Sequence, residues 1–246
     1  MADGKITDRT GRALGITVLV IGGLLLISVL ASDEGEKRLT TVSDSEFGAR
    51  RVDYVGSDLV GEDLQRQNLA EVDFTNADLS SADLSRAILT DADFTGADLT
   101  RVSLVRATAT VATFQSARLV TAQLTRAELS RADLTNADLT DAVGIGATLE
   151  GARLVEANLD RANFDDAHLR GAAFTNATLR GTRLTRADLR DADLSNADLE
   201  SASLVGADLS GAVLDGAELR GAELEDAVYD ANTVWPVGFD PASVRR

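Results

Sequence analysis

The chain has 246 residues, contains no cysteine and carries a formal net charge of −16 at neutral pH. Disulfide bonds and thiol chemistry are therefore excluded, and the acidic excess repels nucleic-acid phosphates and anionic lipid headgroups. Aromatic residues make up only 4% of the sequence, so any core must be built mainly from smaller apolar side chains.

The first element in chain order is an uncharged stretch from Ala13 to Ala31, which follows a short basic segment at residues 1–12. At about 1.5 Å per residue, a helix of this length crosses about 30 Å of hydrocarbon. The stretch predicts a transmembrane α-helix at residues 13–31, followed by a polar linker at residues 32–50. The alternative is a secreted protein, because the end of the stretch, Val29-Leu30-Ala31, also fits a cleaved signal peptide.

Basic residues near its ends orient a membrane span, because Lys and Arg favour the cytoplasmic side. Three basic residues precede the span and two follow it closely: Lys5, Arg9, Arg12, Lys37 and Arg38. The balance slightly favours a single-pass membrane protein with a cytoplasmic N-terminus and an extracytoplasmic remainder. Including the more distant Arg50 and Arg51 would reverse this orientation.

From Gly56 to Asp230 the sequence repeats every five residues, through thirty-five blocks without insertion or deletion. The fourth residue of a block is Leu or Phe in 32 blocks and the second is Ala in 29, so these positions predict the core. A helix turns about 100° per residue, and a five-residue step would spiral the leucines around it. A flat strand would place successive leucines on opposite faces. Short extended pieces joined by turns, all facing one axis, satisfy the pattern.

The exceptions within the repeat indicate that four blocks, or twenty residues, close one coil. Phe replaces Leu at five positions, and four of these are separated by multiples of twenty: Phe74, Phe94, Phe114 and Phe174. Arg opens eight blocks, and five of these arginines fall in one twenty-residue column. A fixed short period is typical of a solenoid, a class of protein that usually works by offering a binding surface.

Blocks such as Asn-Ala-Asp-Leu-Ser at 76–80 and Gly-Ala-Asp-Leu-Ser at 206–210 resemble those of the pentapeptide-repeat proteins. The resemblance implies an all-β fold, a right-handed quadrilateral parallel β-helix, with nearly nine coils within residues 51–230. The tail from Tyr229 to Pro241 also resembles a segment that closes many members of the family. Residues 231–246 are therefore expected to form a C-terminal cap.

A few positions depart from the repeat. Ala109 and Gly144 occupy the Leu position, while Glu62 and Gln67 occupy the Ala position and mark a worn N-terminal edge. Gly144 lies one coil before Phe164 in the same column, so we expect the phenyl ring to fill the space that a leucine would take.

The repeat contains no recognisable catalytic or metal-binding pattern. The single histidine, His168, falls in an outward position, and no nucleophile, base and orienting group can be assembled around it. Outward acids such as Asp58, Asp78 and Asp98 share a column, but a straight row of carboxylates rarely surrounds a cation. The sequence therefore predicts no enzymatic activity, no cofactor and no metal site.

One column of arginines is the candidate binding site. Its members are separated by twenty residues and are expected to lie about 4.8 Å apart on successive coils: Arg66, Arg86, Arg106 and Arg126. They overlap a stretch without acidic residues, from Leu99 to Ala127, so a basic belt interrupts the acidic rod. The alternative is that Arg66 and Arg86 simply pair with the nearby Asp63 and Asp83.

Together these features favour a membrane-anchored, non-enzymatic scaffold that binds a protein partner along the side of a rigid rod. Direct binding to nucleic acid is not expected. The runner-up comes from the family resemblance, since some members have an acidic rod that imitates DNA and occupies a type II topoisomerase. On that reading the chain would be an inhibitor or protector of the topoisomerase. An anchor argues against it, because such a target is free in the cytoplasm.

Overall fold

The computed structural model describes residues 5–7, 13–21, 24–30, 41–42 and 51–241. Five short strands precede the repeats: β1 (Lys5–Thr7), β2 (Ala13–Ile21), β3 (Leu24–Leu30), β4 (Thr41–Val42) and β5 (Arg51–Val52). The first three form an antiparallel sheet in the order β1-β2-β3, and β4 pairs antiparallel with β5. Most of the predicted basic segment 1–12 and of the predicted linker 32–50 lies outside the described residues.

Two strands occupy the stretch in which the sequence predicted an α-helix at residues 13–31. Ile21 pairs with Leu24 and Gly15 pairs with Leu30, so β2 and β3 run antiparallel. The stretch is rich in β-branched residues, which favour strands, and its Gly-Gly pair is typical of a two-residue hairpin loop. Within the described ranges, no helix combines the length and apolar character needed to span a bilayer. The predicted α-helix at residues 13–31 is therefore corrected to two β-strands, Ala13–Ile21 and Leu24–Leu30.

The repeats wind into a solenoid whose successive coils pair in parallel. Backbone bridges join the third residue of a block to the third residue twenty positions later, from Asp58–Asp78 through to Asp208–Val228. At Asp78 the N–H donates to the Ser57 carbonyl at 2.9 Å, and the carbonyl accepts from the Leu59 N–H at 2.7 Å. The twenty-residue coil inferred from the sequence is therefore confirmed.

Every block boundary is a turn, because the residue that opens the block adopts the left-handed conformation. Asn76 has a φ of 56° and Arg86 a φ of 61°. The Ala77 N–H donates to the Phe74 carbonyl at 2.9 Å, which closes a four-residue turn with a positive φ at its third residue, as in type II turns. Asn tolerates this conformation more readily than Arg does, so each arginine in this position carries a backbone cost.

The Ala and Leu positions fill the interior, as the repeat pattern predicted. Leu134 and its neighbours in the middle of the rod are completely buried. One column begins with four aromatic rings that stack face to face, with centroid distances of 5.3, 4.8 and 4.9 Å: Tyr54, Phe74, Phe94 and Phe114. The stack extends the core into the first coil, where most of the other Ala and Leu positions are only partly buried.

The departure at Gly144 is compensated by the next coil, as expected. A Cβ at Gly144 would lie 2.3 Å from Cε1 of Phe164. The ring therefore occupies the space that a side chain at residue 144 would need. Another irregular position is Thr182, which replaces Ala and is fully buried; its hydroxyl donates to the Leu159 carbonyl at 2.7 Å.

The chain leaves the repeat through a loop with one additional residue. Val234 pairs with Val213, twenty-one positions earlier, and continues the ladder. The Asp230 carboxylate accepts hydrogen bonds from the N–H groups of Gly211 at 3.0 Å and Thr233 at 3.1 Å, which holds the loop closed.

Aromatic residues cover the last coil. Trp235 contacts Tyr229 edge to face and stacks on Phe239, with centroid distances of 5.3 Å in both cases. All three pack against the apolar core. These contacts cover the apolar end of the rod, and residues 242–246 of the predicted cap lie outside the described residues.

Candidate arginine groove

The arginine column lies along one corner of the rod, and the structure brings its four predicted members together. All are exposed and have a positive φ of 57° to 61°: Arg66, Arg86, Arg106 and Arg126. Parallel bridges next to the corner join Asn68 to Ile88 and Ile88 to Thr108, which fixes the register of successive coils. The arginines therefore stand one coil apart, about 4.8 Å along the rod.

A groove of about 530 Å³ runs beside the arginine column. Besides the arginines, it is lined by the residues that precede them in the chain: Gln65, Ser85, Val105 and Thr125. The repeat pattern gave no reason to select Gln65, Ser85 or Thr125 as groove residues. Amide and hydroxyl groups next to guanidinium groups offer several hydrogen-bond donors, so the groove suits an anionic ligand.

Among the described residues, no acidic group lies within salt-bridge distance of the arginine column. The proposed neighbours make other contacts. Asp63 accepts the Gln65 N–H at 3.2 Å, and Asp83 accepts the Gln65 side-chain amide at 2.8 Å and the Ser85 N–H at 2.9 Å. The alternative in which Arg66 and Arg86 pair with these two acids is therefore not what the structure shows.

Most other arginines of the rod are paired with acids. The paired ones begin at residue 118 and continue toward the C-terminus: Arg118, Arg153, Arg161, Arg170, Arg180, Arg183, Arg186, Arg190 and Arg220. Arg101 and Arg131 resemble the arginine column, since the described part of the chain gives them no ion pair either. The unpaired positive charge is thus concentrated in the first half of the rod.

Two of the paired arginines show how this corner position binds a carboxylate. Arg161 also opens a block, and its Nε and Nη2 donate to the two carboxylate oxygens of Asp141, both at 2.8 Å. Arg186 binds Asp166, one coil earlier, in the same manner at 2.8 and 2.7 Å. Hydrogen bonds from these arginines lower the pKa of both aspartates. In the arginine column, the residue one coil before Arg86, Arg106 or Arg126 is another arginine, so a carboxylate must come from elsewhere.

The acids at the third position of the blocks have a structural role that the repeat pattern did not predict. Oδ1 of Asp73 accepts the Thr75 N–H at 2.8 Å, and Oδ1 of Asp78 accepts the Ser80 N–H at 3.0 Å. Asp or Asn two residues before Ser or Thr is a sequence signal for such turns. Much of the acidic surface therefore also stabilises the corners of the rod.

The remaining sequence candidates do not assemble a second site. His168 is exposed. The pKa of Asp188 is lowered mainly by the hydrogen bond from Arg190, and a charge interaction with His168 adds to this effect. Over residues 53–241, no group of three or more His, Asp or Glu side chains is arranged to hold a metal ion.

Comparison with known proteins identifies the repeat. The family model for pentapeptide repeats matches with eight copies, at residues 55–86, 87–122, 122–161, 152–191 and 192–228. No curated protein sequence matches the chain.

Several solved structures are similar. HetL, a pentapeptide repeat protein from the cyanobacterium Nostoc sp. strain PCC 7120 involved in heterocyst differentiation regulation, is 30% identical over 76% of this chain and 94% of its own, with a TM-score of 0.34. A trypsin-treated form of QnrB1, a plasmid-mediated fluoroquinolone resistance protein, is 21% identical over 71% of this chain and 90% of its own, with a TM-score of 0.43. The matched repeats cover more than half of the sequence, and the chain therefore belongs to the pentapeptide-repeat family.

Proposed function

We propose that the protein is a non-enzymatic scaffold that binds an acidic surface of a protein partner through the arginine column. The observation that carries this proposal is the set of guanidinium groups along one groove that have no ion pair among the described residues, in a rod most of whose later arginines are paired with acids. A guanidinium group binds a carboxylate through two parallel hydrogen bonds, as Arg161 does with Asp141. A row of such groups suits a row of carboxylates on a partner.

The proposal includes attachment to a membrane through residues 13–31. It rests on the uncharged apolar sequence and on the distribution of basic residues around it. A cleaved signal peptide would instead release the rod from the cell, and the two cases differ in where the mature chain begins.

The DNA-mimic alternative is less well supported by the distribution of charge. A duplex carries an uninterrupted row of phosphates. The arginine column replaces that row with positive charge over four coils, and nine further arginines neutralise acids along the rest of the rod. A rod that imitates DNA would be expected to keep arginines off the acidic surface that takes the place of the phosphates.

A capture experiment tests the scaffold function. Reversing Arg86, Arg106 and Arg126 to Glu is expected to abolish recovery of the partner from a detergent extract, because like charges would then meet across the groove. Glu is acceptable in this backbone position, since Glu71 and Glu156 open blocks with φ values of 61° and 58°.

The matched control reverses Arg131, which occupies the same position in its block and has a φ of 59° but lies outside the groove. It should leave capture unchanged, and both variants should melt at the temperature of the wild type. Recovery of the same partners by the triple variant and the wild type would contradict the proposed role of the arginine column.

A further inference from the structure

A second column on the rod presents carboxylates with the same spacing as the arginine column. The acid column consists of three aspartates joined by consecutive parallel bridges: Asp58, Asp78 and Asp98. Oδ1 of Asp78 and of Asp98 accepts the N–H two residues later, at 3.0 and 2.9 Å, so Oδ2 is the oxygen left to bind another group. Only Asp98 has an ion pair within the described residues, a long one of 4.0 Å to Arg118.

The spacing of the arginine column selects the geometry of its ligand. Adjacent rungs are about 4.8 Å apart, which is the distance between neighbouring strands of a sheet. Side chains on one face of an extended peptide recur every second residue, or about 6.8 Å, and fall out of step with the arginines. Carboxylates that match every rung must therefore come from successive parallel strands, each contributing one acid at the same position.

We infer that the arginine column pairs with the acid column of a second copy of this chain. This inference rests on the proposed function, because it names the acidic protein surface that the groove binds. Both columns begin in the first coil, at Asp58 and Arg66, so two rods side by side in parallel match over the first three rungs. At the fourth rung, Arg126 would lie opposite Arg118, which follows Asp98 on the next coil. Within one chain the two columns are separated by the block 61–65, and no ion pair joins them among the described residues.

The charge balance also favours a protein surface over a nucleic acid. A DNA duplex carries one charge per about 1.7 Å, nearly three times the density of the arginine column. The net charge of −16 on the chain as a whole would repel such a polymer. The acid column of another copy brings only one carboxylate per coil, which the arginines can neutralise.

A charge-exchange experiment with the full-length protein in detergent tests the pairing. The chain has no cysteine, so Val237→Cys, at a position that is 98% exposed, provides a single labelling site for energy transfer between copies. Wild-type copies are expected to associate, and association should weaken as salt is added. Arg106→Glu should weaken it at least about tenfold, whereas Arg131→Glu should change it less than about twofold.

The decisive step mixes two variants that cannot self-associate. One carries Arg86→Glu and Arg106→Glu; the other carries Asp78→Arg and Asp98→Arg. Arginine fits this position of the coil, because Arg118 occupies it one coil after Asp98. Each variant alone should remain monomeric because two of its three matched rungs then bring like charges together. The mixture should form a heterodimer, since both column pairs are then complementary.

Absence of association by the wild type at low salt, or absence of a heterodimer in the mixture, would overturn the inference. Equal effects of Arg106→Glu and Arg131→Glu would overturn it as well. The proposed function has a separate readout: a monomeric wild type that still captures a partner, which the arginine variants lose, leaves the scaffold function standing while the self-pairing is wrong.

Discussion

Leu134 represents the residues that hold the rod together. Its side chain is fully buried within an unbroken series of leucine blocks. Leu134→Ala is expected to lower the free energy of unfolding by about 2–5 kcal/mol, because the closely packed coils cannot collapse into the cavity. Leu134→Met, which nearly conserves volume, should cost less than about 1.5 kcal/mol. Urea unfolding measures both; equal losses would show that the core position has been assigned incorrectly.

Asp133 makes the stability of the rod depend on pH. Burial raises its pKa, but hydrogen bonds from Thr135 and Gln115 outweigh this effect and leave the pKa below the ordinary value. A lowered pKa means that the carboxylate stabilises the fold above the unfolded-state pKa of about 3.9, and that this contribution is lost as the pH falls through the folded-state pKa.

Asp133→Ala should therefore destabilise the protein by about 0.5–1.5 kcal/mol at pH 7 and by less at about pH 3. Asp133→Asn, which keeps an oxygen to accept the Thr135 N–H, is the matched control and should fall between the variant and the wild type. A destabilisation by Asp133→Ala that is the same at both pH values would contradict the assignment.

At the residue scale, the inward positions followed from the repeat alone, whereas the roles of the polar residues did not. Ala and Leu recur at fixed positions, so burial leaves a strong pattern. Asp78 and Arg161, by contrast, look like ordinary surface residues in the sequence. Their roles depend on which backbone N–H or which acid lies one turn or one coil away, and that is set by the register of the coil.

The coil is the next larger unit, and Gly144 and Phe164 show that neighbouring coils must fit each other. Gly144→Leu would restore the repeat but drive a side chain into the Phe164 ring, at an expected cost of about 1–3 kcal/mol. Phe164→Leu alone would leave a cavity next to the glycine. The double variant should recover most of the loss, because two leucines match the packing of the other coils.

A double-mutant cycle by thermal unfolding measures this coupling. The matched pair Leu124→Met and Leu204→Met, in the same column but four coils apart, should be additive. Additive losses for Gly144→Leu and Phe164→Leu would contradict the compensation between the two coils.

The strands β2 and β3 show where pattern alone was insufficient. A long uncharged run fits a helix by its length, but a Gly-Gly pair flanked by Ile, Val and Leu also fits a hairpin. Length and local propensity favour different structures in this stretch. The five-residue repeat had no such competitor, since neither a helix nor a flat strand can bury its leucines.

At the scale of the whole molecule, the proposed membrane attachment makes a direct prediction. The full-length protein should sediment with membranes and resist a carbonate wash, because the apolar stretch 13–31 favours hydrocarbon over water. A shortened protein that begins at Ser43 should be soluble. A mature chain that begins at Ser32 and is found in the medium would contradict the anchor and support secretion.

The twenty-residue offset between bridged residues also constrains how the gene can change in length. An insertion of five residues would move every later block to the next side of the rod, and would break both the arginine column and the acid column while leaving each local turn intact. An insertion of twenty would lengthen the rod by one coil and restore every column beyond it. Among the described residues, the one extra residue in the ladder lies between Val213 and Val234, at its last bridge. Length variation among homologues should therefore occur in whole coils within the repeats and in single residues only at the ends.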